Sequence, residues 1–454
     1  MKTTLSQIRQ WVRGSRITAD TLFEGISTDS RHVQPGNLFI ALKGENFDAH
    51  QFLAELADKK VAAVLVERVP ENYPLPAVIV PDTRLAMGQI AQNWRSRFGI
   101  PVVGVTGSNG KTTVKEMIAS IFRTAWGENC LATSGNFNND VGVPLTVFRL
   151  NEMHRAAVIE LGMNHIGEMA YLASIAQPTV GLVNNAQREH QEFMQSVEAV
   201  ARENGTVIRM LPENGIAVFP ADDAYSSLWA GYAGGRQTMT FGFSKDADVS
   251  AAYRIEKGKT RLVMSLAGEQ VEMSLSTSGR HNVRNAMAAA ACCLAAGIGK
   301  LEIAEGLEKF VPVRGRLERK TAFNGALLID DTYNANPDSV RAAIDVLADM
   351  PADGIFVLGD MGEVGEEGER FHAEVGAYAR ERRINHFFTF GEMARFASEA
   401  YGKEARHFMD LEEMNGVLKA LVKPDMAILV KGSRFMRMER VVEQLMNDMN
   451  REGR

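Results

Sequence analysis

The chain has 454 residues, with 50 Lys and Arg against 56 Asp and Glu, a formal charge of −6. At about 150 residues per domain this length implies about three domains, and 45% hydrophobic with 23% charged residues excludes a disordered or collagen-like chain. The acidic balance argues against a general nucleic-acid binder, and no run approaches the roughly 18 apolar residues of a membrane span.

Three cysteines, Cys130, Cys292 and Cys293, are too few for a disulfide framework and lack metal-ligand spacing. The adjacent pair lies in an Ala-rich run and reads as small core side chains. A reducing cytoplasm is the expected compartment.

Short apolar runs, Asn37–Leu42, Val61–Val66 and Ala77–Val80, with a Pro-rich stretch before the last, indicate a small α/β unit. A helical pattern from Leu85 to Phe98 stops at Gly99. Strands are expected at Val102–Val105, Arg155–Glu160, Thr179–Asn184 and Gly215–Phe219, with helical patterns between the first three, followed from Val249 to Leu275 by alternating strand-like runs that suit an antiparallel edge or an appended hairpin. A second alternation begins near Arg314, with strands at Gly325–Asp330, Gly354–Leu358, His386–Phe390 and Met426–Val430 and a last helix over Phe435–Met449. The fold class is therefore α/β in three domains. A small N-terminal α/β domain spans roughly 1–99, a central doubly wound domain like a P-loop ATPase roughly 100–313, and a C-terminal Rossmann-like domain roughly 314–454.

The stretch Val102–Val114 carries the most chemistry: a strand, the turn Gly107-Ser108-Asn109-Gly110, then Lys111-Thr112-Thr113 opening a helix. The glycines let several backbone N–H groups face one anion, and the helix N-terminus adds its dipole. Lys111 supplies charge for the β- and γ-phosphates, and the Thr112 hydroxyl suits Mg²⁺. Val105 occupies the first glycine position of the usual eight-residue pattern, so this is a variant phosphate loop, read as an ATP site. Glu160 ends the second strand at the carboxyl edge of the sheet, where a carboxylate can hold Mg²⁺ opposite Thr112. His190 follows the third strand at the same edge and is a candidate second metal ligand. Lys111, Glu160 and His190 are the catalytic candidates.

Taken together, Thr106–Thr113, Thr133–Pro144, Glu160–Glu168, Asp330–Pro337 and Leu358–Gly365, with Ser27–Arg31 and Asn46–His50 in the first block, resemble the Mur ligase family. That family comprises ATP-dependent amide-forming enzymes of peptidoglycan precursor synthesis. The segments look like those of the last-acting member. The Asp-Asn-Pro-Arg signature of the diaminopimelate-adding relative does not occur. The resemblance implies that ATP phosphorylates the terminal carboxylate of UDP-N-acetylmuramoyl-tripeptide and that the amine of D-alanyl-D-alanine displaces phosphate. It further implies a cytoplasmic monomer using ATP and Mg²⁺, without nucleic acid or membrane span.

Carried over residue by residue, the resemblance gives Thr112, Glu160 and His190 to metal. It gives Asn282 and Asn285 to the adenine, and Arg316 and Asp331 to ATP from the third domain. Ser27, Thr28, Asp29, Ser30, Arg31, Asp48 and His50 would bind the nucleotide sugar. Asn138, Asn139, Tyr333, Asn334 and Asn336 would contact substrate, and Leu358–Gly365 would line the dipeptide pocket. Local roles explain several of these as well: Asn282 as a helix cap, Arg316 as a linker charge, and Asn334 and Asn336 as a turn and helix start before Pro337.

One position departs from the family. Where a carbamate-forming lysine is usual, Val200-Ala-Arg-Glu-Asn-Gly205 places Asn204, which forms no carbamate and brings no negative charge. Glu203 or Glu192 compensates, waters complete the shell, or a second ion binds weakly. The alternatives to the leading reading are another Mur-type amino-acid ligase, a folylpolyglutamate synthase, or a non-catalytic nucleotide-binding sensor.

Overall fold

The computed structural model describes residues 1–44, 47–189, 191–194, 196–256 and 259–447. Short strands, the inner three largely buried, build a five-stranded N-terminal sheet in the order Arg16–Ile17, Ala77–Ile79, Ala63–Val66, Leu38–Ile40, Ile26–Ser27, parallel except for the first pair. Helix Thr83–Arg95 leaves this sheet, capped by Asp82, whose carboxylate accepts from the Leu85 N–H. Its stripe Ala86, Met87, Ile90, Ala91 and Trp94 is buried in a core that continues into the central domain through Val102, Leu172 and Trp229. A Cβ at Gly88 would lie 2.2 Å from the Tyr171 hydroxyl, so a side chain there would have to push the Tyr171 ring aside. The helix ends before the expected Phe98. The Phe98 and Ile100 carbonyls turn instead onto the buried Arg95 guanidinium, which also binds the Ala176 and Gln177 carbonyls. Burial lowers the Arg95 pKa to about 10.

The central sheet has nine strands. Val102–Thr106 lies between Ala156–Glu160, with Cys130–Ala132 outside it, and Val180–Val183, which leads through Ile216–Pro220 and Gln237–Gly242. All these pairs are parallel. An antiparallel meander, Val249–Glu256, Lys259–Leu266 and Glu269–Leu275, extends the far edge. Chain order reverses across Val102–Thr106, which makes its carboxyl end the switch point where such sheets bind ligands.

The C-terminal sheet has six strands in the order Glu318–Thr321, Leu327–Asp331, Ala427–Lys431, Gly354–Gly359, His386–Phe390, Arg406–Phe408, antiparallel only in the first pair. Apolar clusters cover both its faces. The sequence reading misses Cys130–Ala132, Gln237–Gly242, Glu318–Thr321 and Arg406–Phe408, short strands of which the last two lie at the edges of their sheet and hold few apolar residues. The expected last helix is shorter, Glu439–Met446. Arg434–Met436 form a separate 3-10 turn, broken by Arg437 at a φ of +50°. Met449 lies outside the described residues.

Candidate active site

The phosphate loop is shaped by Gly107 at φ +133° and Gly110 at +82°. A Cβ on Gly110 would lie 2.4 Å from Asn285 Oδ1, so the turn is pressed under the helix Arg280–Ala295. Amide side chains prop it from below. Asn184 Nδ2 donates to the Asn109 carbonyl (2.8 Å) and to Asn285 Oδ1 (3.0 Å). Asn185 Oδ1 accepts from the Asn109 N–H, and the Ser108 hydroxyl accepts from the Gln187 N–H. Asn282 donates to the Ser278 carbonyl, four residues earlier, so it does fasten its own helix start.

At the helix N-terminus, Lys111 Nζ donates to the carbonyls of Gly107 (2.5 Å) and Ser108 (3.3 Å) and to Glu189 Oε2 (3.1 Å). The Thr112 hydroxyl donates to Glu160 Oε1 (3.2 Å) and accepts from Arg316 Nη2 (3.0 Å). Glu160 is fixed by its backbone N–H on the Thr133 hydroxyl and by Asn138 Nδ2 at 2.8 Å. Glu160 Oε2 and Arg316 Nε are buried with no hydrogen-bond partner. A hydroxyl beside a carboxylate with one uncommitted oxygen is a hard donor set of the kind Mg²⁺ takes, since that ion needs few protein ligands and keeps waters. Thr112 and Glu160 therefore fit such an ion. His190 lies outside the described residues, and among the described residues no group of three or more His, Cys, Asp or Glu forms a denser cluster.

The C-terminal domain closes the other side. Arg316 lies over the Tyr333 ring at 4.1 Å. Asp331 Oδ2 pairs with the buried Lys431 at 2.6 Å, and Lys431 also donates to the Asn334 carbonyl. Asn336 caps helix Pro337–Ala348 in a capping box with Ser339. It also reaches the phosphate loop, donating to Asn109 Oδ1 at 3.0 Å. The space enclosed between the two domains is about 1410 Å³, above the 300–1,000 Å³ usual for one small ligand.

Ser108, Asn109, Gly110, Lys111, Thr112 and Thr113 all line this cavity. So do Asn138, Asn139, Glu160, Asn282 and Asn285, and from the third domain Arg316, Asp331, Tyr333, Asn334 and Asn336. Gly107 shapes the loop without lining the cavity. The N-terminal candidates Ser27, Thr28, Asp29, Ser30, Arg31, Asp48 and His50 are not brought there. Arg31 grips Asp29 through Nε (2.9 Å) and Nη2 (2.8 Å), which holds the Asp29 carboxyl well below the usual carboxylate range. Asp48 takes the His50 N–H and ring Nδ1 and Arg68, and its pKa falls to about 2, chiefly through that backbone bond. His50 Nε2 accepts from the Glu67 N–H, so the ring proton is on Nδ1, facing Asp48.

Of the segment expected to line the dipeptide pocket, only Gly362, Glu363 and Val364 reach the cavity, and Leu358 is core. At the departing position, Asn204 is fully buried and its Oδ1 accepts from the Thr106 hydroxyl at 2.5 Å. Glu203 does not compensate for it, because its Oε1 caps helix Glu168–Ala176 on the Gly167 and Met169 N–H groups. Glu192 is exposed and outside the cavity lining. The carboxylate that does face the loop is Glu189, which sequence reasoning missed together with Asn184, Asn185, Arg188 and Lys431. Position at the carboxyl edge, the criterion that singled out His190, is the signal that finds Glu189 and the two asparagines.

Comparison with known proteins agrees with this geometry. Models of the Mur ligase family catalytic domain, the Mur ligase middle domain and the Mur ligase glutamate ligase domain match residues 22–95, 105–293 and 315–434. The chain is 40% identical to the UDP-N-acetylmuramoyl-tripeptide–D-alanyl-D-alanine ligase of Escherichia coli K12, over 97% of this chain and 98% of that one. The crystal structure of MurF from Acinetobacter baumannii is 35% identical and superposes with a TM-score of 0.93, covering 98% and 99% of the two chains. MurF ligase from Thermotoga maritima in complex with ADP is 27% identical, with a TM-score of 0.86 over 94% and 98%. By sequence over nearly its whole length and by fold, the chain belongs to the Mur ligase family.

Proposed function

We propose that this chain is an ATP-dependent ligase joining D-alanyl-D-alanine to UDP-N-acetylmuramoyl-tripeptide, giving the pentapeptide, ADP and phosphate for peptidoglycan synthesis. The observation that carries this is the cleft in which the phosphate loop, the uncommitted Glu160 oxygen and the C-terminal Arg316 converge on Thr112. The γ-phosphoryl group moves onto a carboxylate oxygen of the tripeptide. The dipeptide amine then attacks the carbonyl carbon, loses a proton, and phosphate leaves with that oxygen.

Each residue's part follows from its place. Lys111 and the loop N–H groups hold and neutralise the transferring phosphates. Thr112 and Glu160 would hold Mg²⁺, which would supply further neutralising charge when bound. Arg316, stacked on Tyr333, brings a second fixed cation from the opposite domain. Asn336 and Asn109 join the two walls, and closure of the cleft over its substrates would keep water from the acyl phosphate. Ser27–Arg31, Asp48 and His50 grip the uridine nucleotide on the N-terminal domain, residues 1–99, and residues 314–454 take the dipeptide. His190 is retained as a metal ligand on sequence grounds alone. Among the described residues no helix is long and apolar enough to cross a membrane. We place the chain, as a monomer, in the cytoplasm.

Tripeptide labelled with ¹⁸O in its terminal carboxylate tests the chemistry. One labelled oxygen is expected in each released phosphate. Unlabelled phosphate alongside pentapeptide product would rule the acyl phosphate out.

A further inference from the structure

Arg188 and Glu189 are consecutive, yet they fasten opposite sides of the cleft. Glu189 is 7% exposed, pairs with Lys111 at 3.1 Å, and keeps Oε1 buried without a partner. A lysine ammonium has three protons to donate, and Gly107, Ser108 and Glu189 take all three. An incoming phosphate oxygen must displace one of these acceptors, and a buried carboxylate beside the cradle also repels an anion. The other nearby carboxylates have separate duties: Glu160 serves Thr112 and Asn138, and Glu203 caps a helix.

Arg188 faces the C-terminal domain. Its guanidinium contacts Asp338 at 2.6 Å and Glu374 at 2.6 Å and lies over the Phe371 ring, and its backbone N–H also donates to Asp338. Asp338 sits in the first turn of the helix whose cap, Asn336, touches Asn109. One short loop therefore ties the phosphate-binding lysine to the position of the neighbouring domain.

We propose that Glu189 is a positioning residue for Lys111, held through Arg188 by the C-terminal domain, so that phosphate binding at the loop and the placement of that domain are linked. The inference rests on the nucleotide reading of the loop, and not on the identity of the amine.

ADP binding, measured by calorimetry with EDTA and again with Mg²⁺, tests it on the full chain. Glu189→Gln frees one lysine donor and removes the repulsion, so it is expected to bind metal-free ADP about tenfold more tightly. The gain shrinks with Mg²⁺, which brings its own counter-charge. Arg188→Gln loosens the loop and gives a smaller gain in the same direction. The double variant binds no more tightly than Glu189→Gln, because both changes act on one contact. Unchanged or weaker metal-free affinity in Glu189→Gln, or gains that simply add, would overturn the proposal. If the glutamine variant does not fold, Glu189→Asp, with its shorter reach to Lys111, is expected to shift the same way by less. Wild-type affinity there counts against the clamp. A wild-type chain that binds no ADP removes the nucleotide reading and this inference with it. ADP binding that responds as expected in a chain that makes no pentapeptide overturns the ligase reading alone.

Discussion

The interdomain cleft and the N-terminal segments both gather polar side chains, and they differ in how those groups are satisfied. In the N-terminal domain, Asp29 is taken by Arg31 and His32, Asp48 by His50 and Arg68, and His50 Nε2 by a backbone N–H. In the cleft, Glu160 Oε2, Glu189 Oε1, Asn184 Oδ1 and Arg316 Nε are buried without partners. A buried unpaired polar atom costs about 1–3 kcal/mol, so three on the cavity wall, with Asn184 just beneath the loop, describe a site that trades stability for ligand contacts. The N-terminal pairs, satisfied within themselves, carry no such cost. They are already shaped, and a ligand there adds to an intact network.

If that contrast is right, substitutions in the cleft cut turnover and substitutions in the N-terminal segments change substrate affinity alone. The largest effect is expected from Lys111→Ala, a loss of about 10³-fold in kcat in a phosphate-release assay. Glu160→Gln is expected to lose about 10²-fold or more and to move the Mg²⁺ dependence to higher concentration. Arg316→Ala removes the cross-domain bond to Thr112, and kcat/KM for ATP should fall between about 10- and 100-fold. Asp29→Asn should raise KM for the UDP-muramoyl substrate about tenfold and leave KM for ATP unchanged. Equal damage to both constants would erase the distinction between the regions.

A smaller effect concerns stability. His372 is fully buried, with Nε2 accepting from the Met361 N–H and Nδ1 donating to the Gly368 carbonyl, and burial lowers its pKa. The unfolded chain therefore binds a proton that the folded chain resists. Stability is complete above the unfolded pKa of about 6.5 and falls as pH drops toward the folded value, by at most about 1.4 kcal/mol per pH unit. Urea midpoints at pH 5.5 and 7.5 should differ less in His372→Gln than in the wild type.

How much of this was legible in sequence depended on range. The phosphate loop was readable because its glycines, Lys111 and Thr112 are contiguous and their spacing is itself the mechanism. Glu160 was readable because strand ends mark the sheet edge. Arg188 and Glu189 were not, because their partners lie about 80 to 190 positions away and only the topology brings them together. The edge strand Glu318–Thr321 is not legible because it holds three charged residues and a threonine, with no apolar residue to set a period of two. From sequence Asn204 is only the loss of a metal ligand, and the fold gives it a structural duty, holding the Thr106 hydroxyl beneath the loop.

The most direct test of the central claim is phosphate release from ATP and Mg²⁺ in the presence of UDP-muramoyl-tripeptide, with and without D-alanyl-D-alanine. Release that requires both substrates and yields UDP-muramoyl-pentapeptide is the predicted result. Phosphate release at the same rate without the dipeptide, or tight binding of both nucleotides with no turnover across a wide Mg²⁺ range, would contradict it.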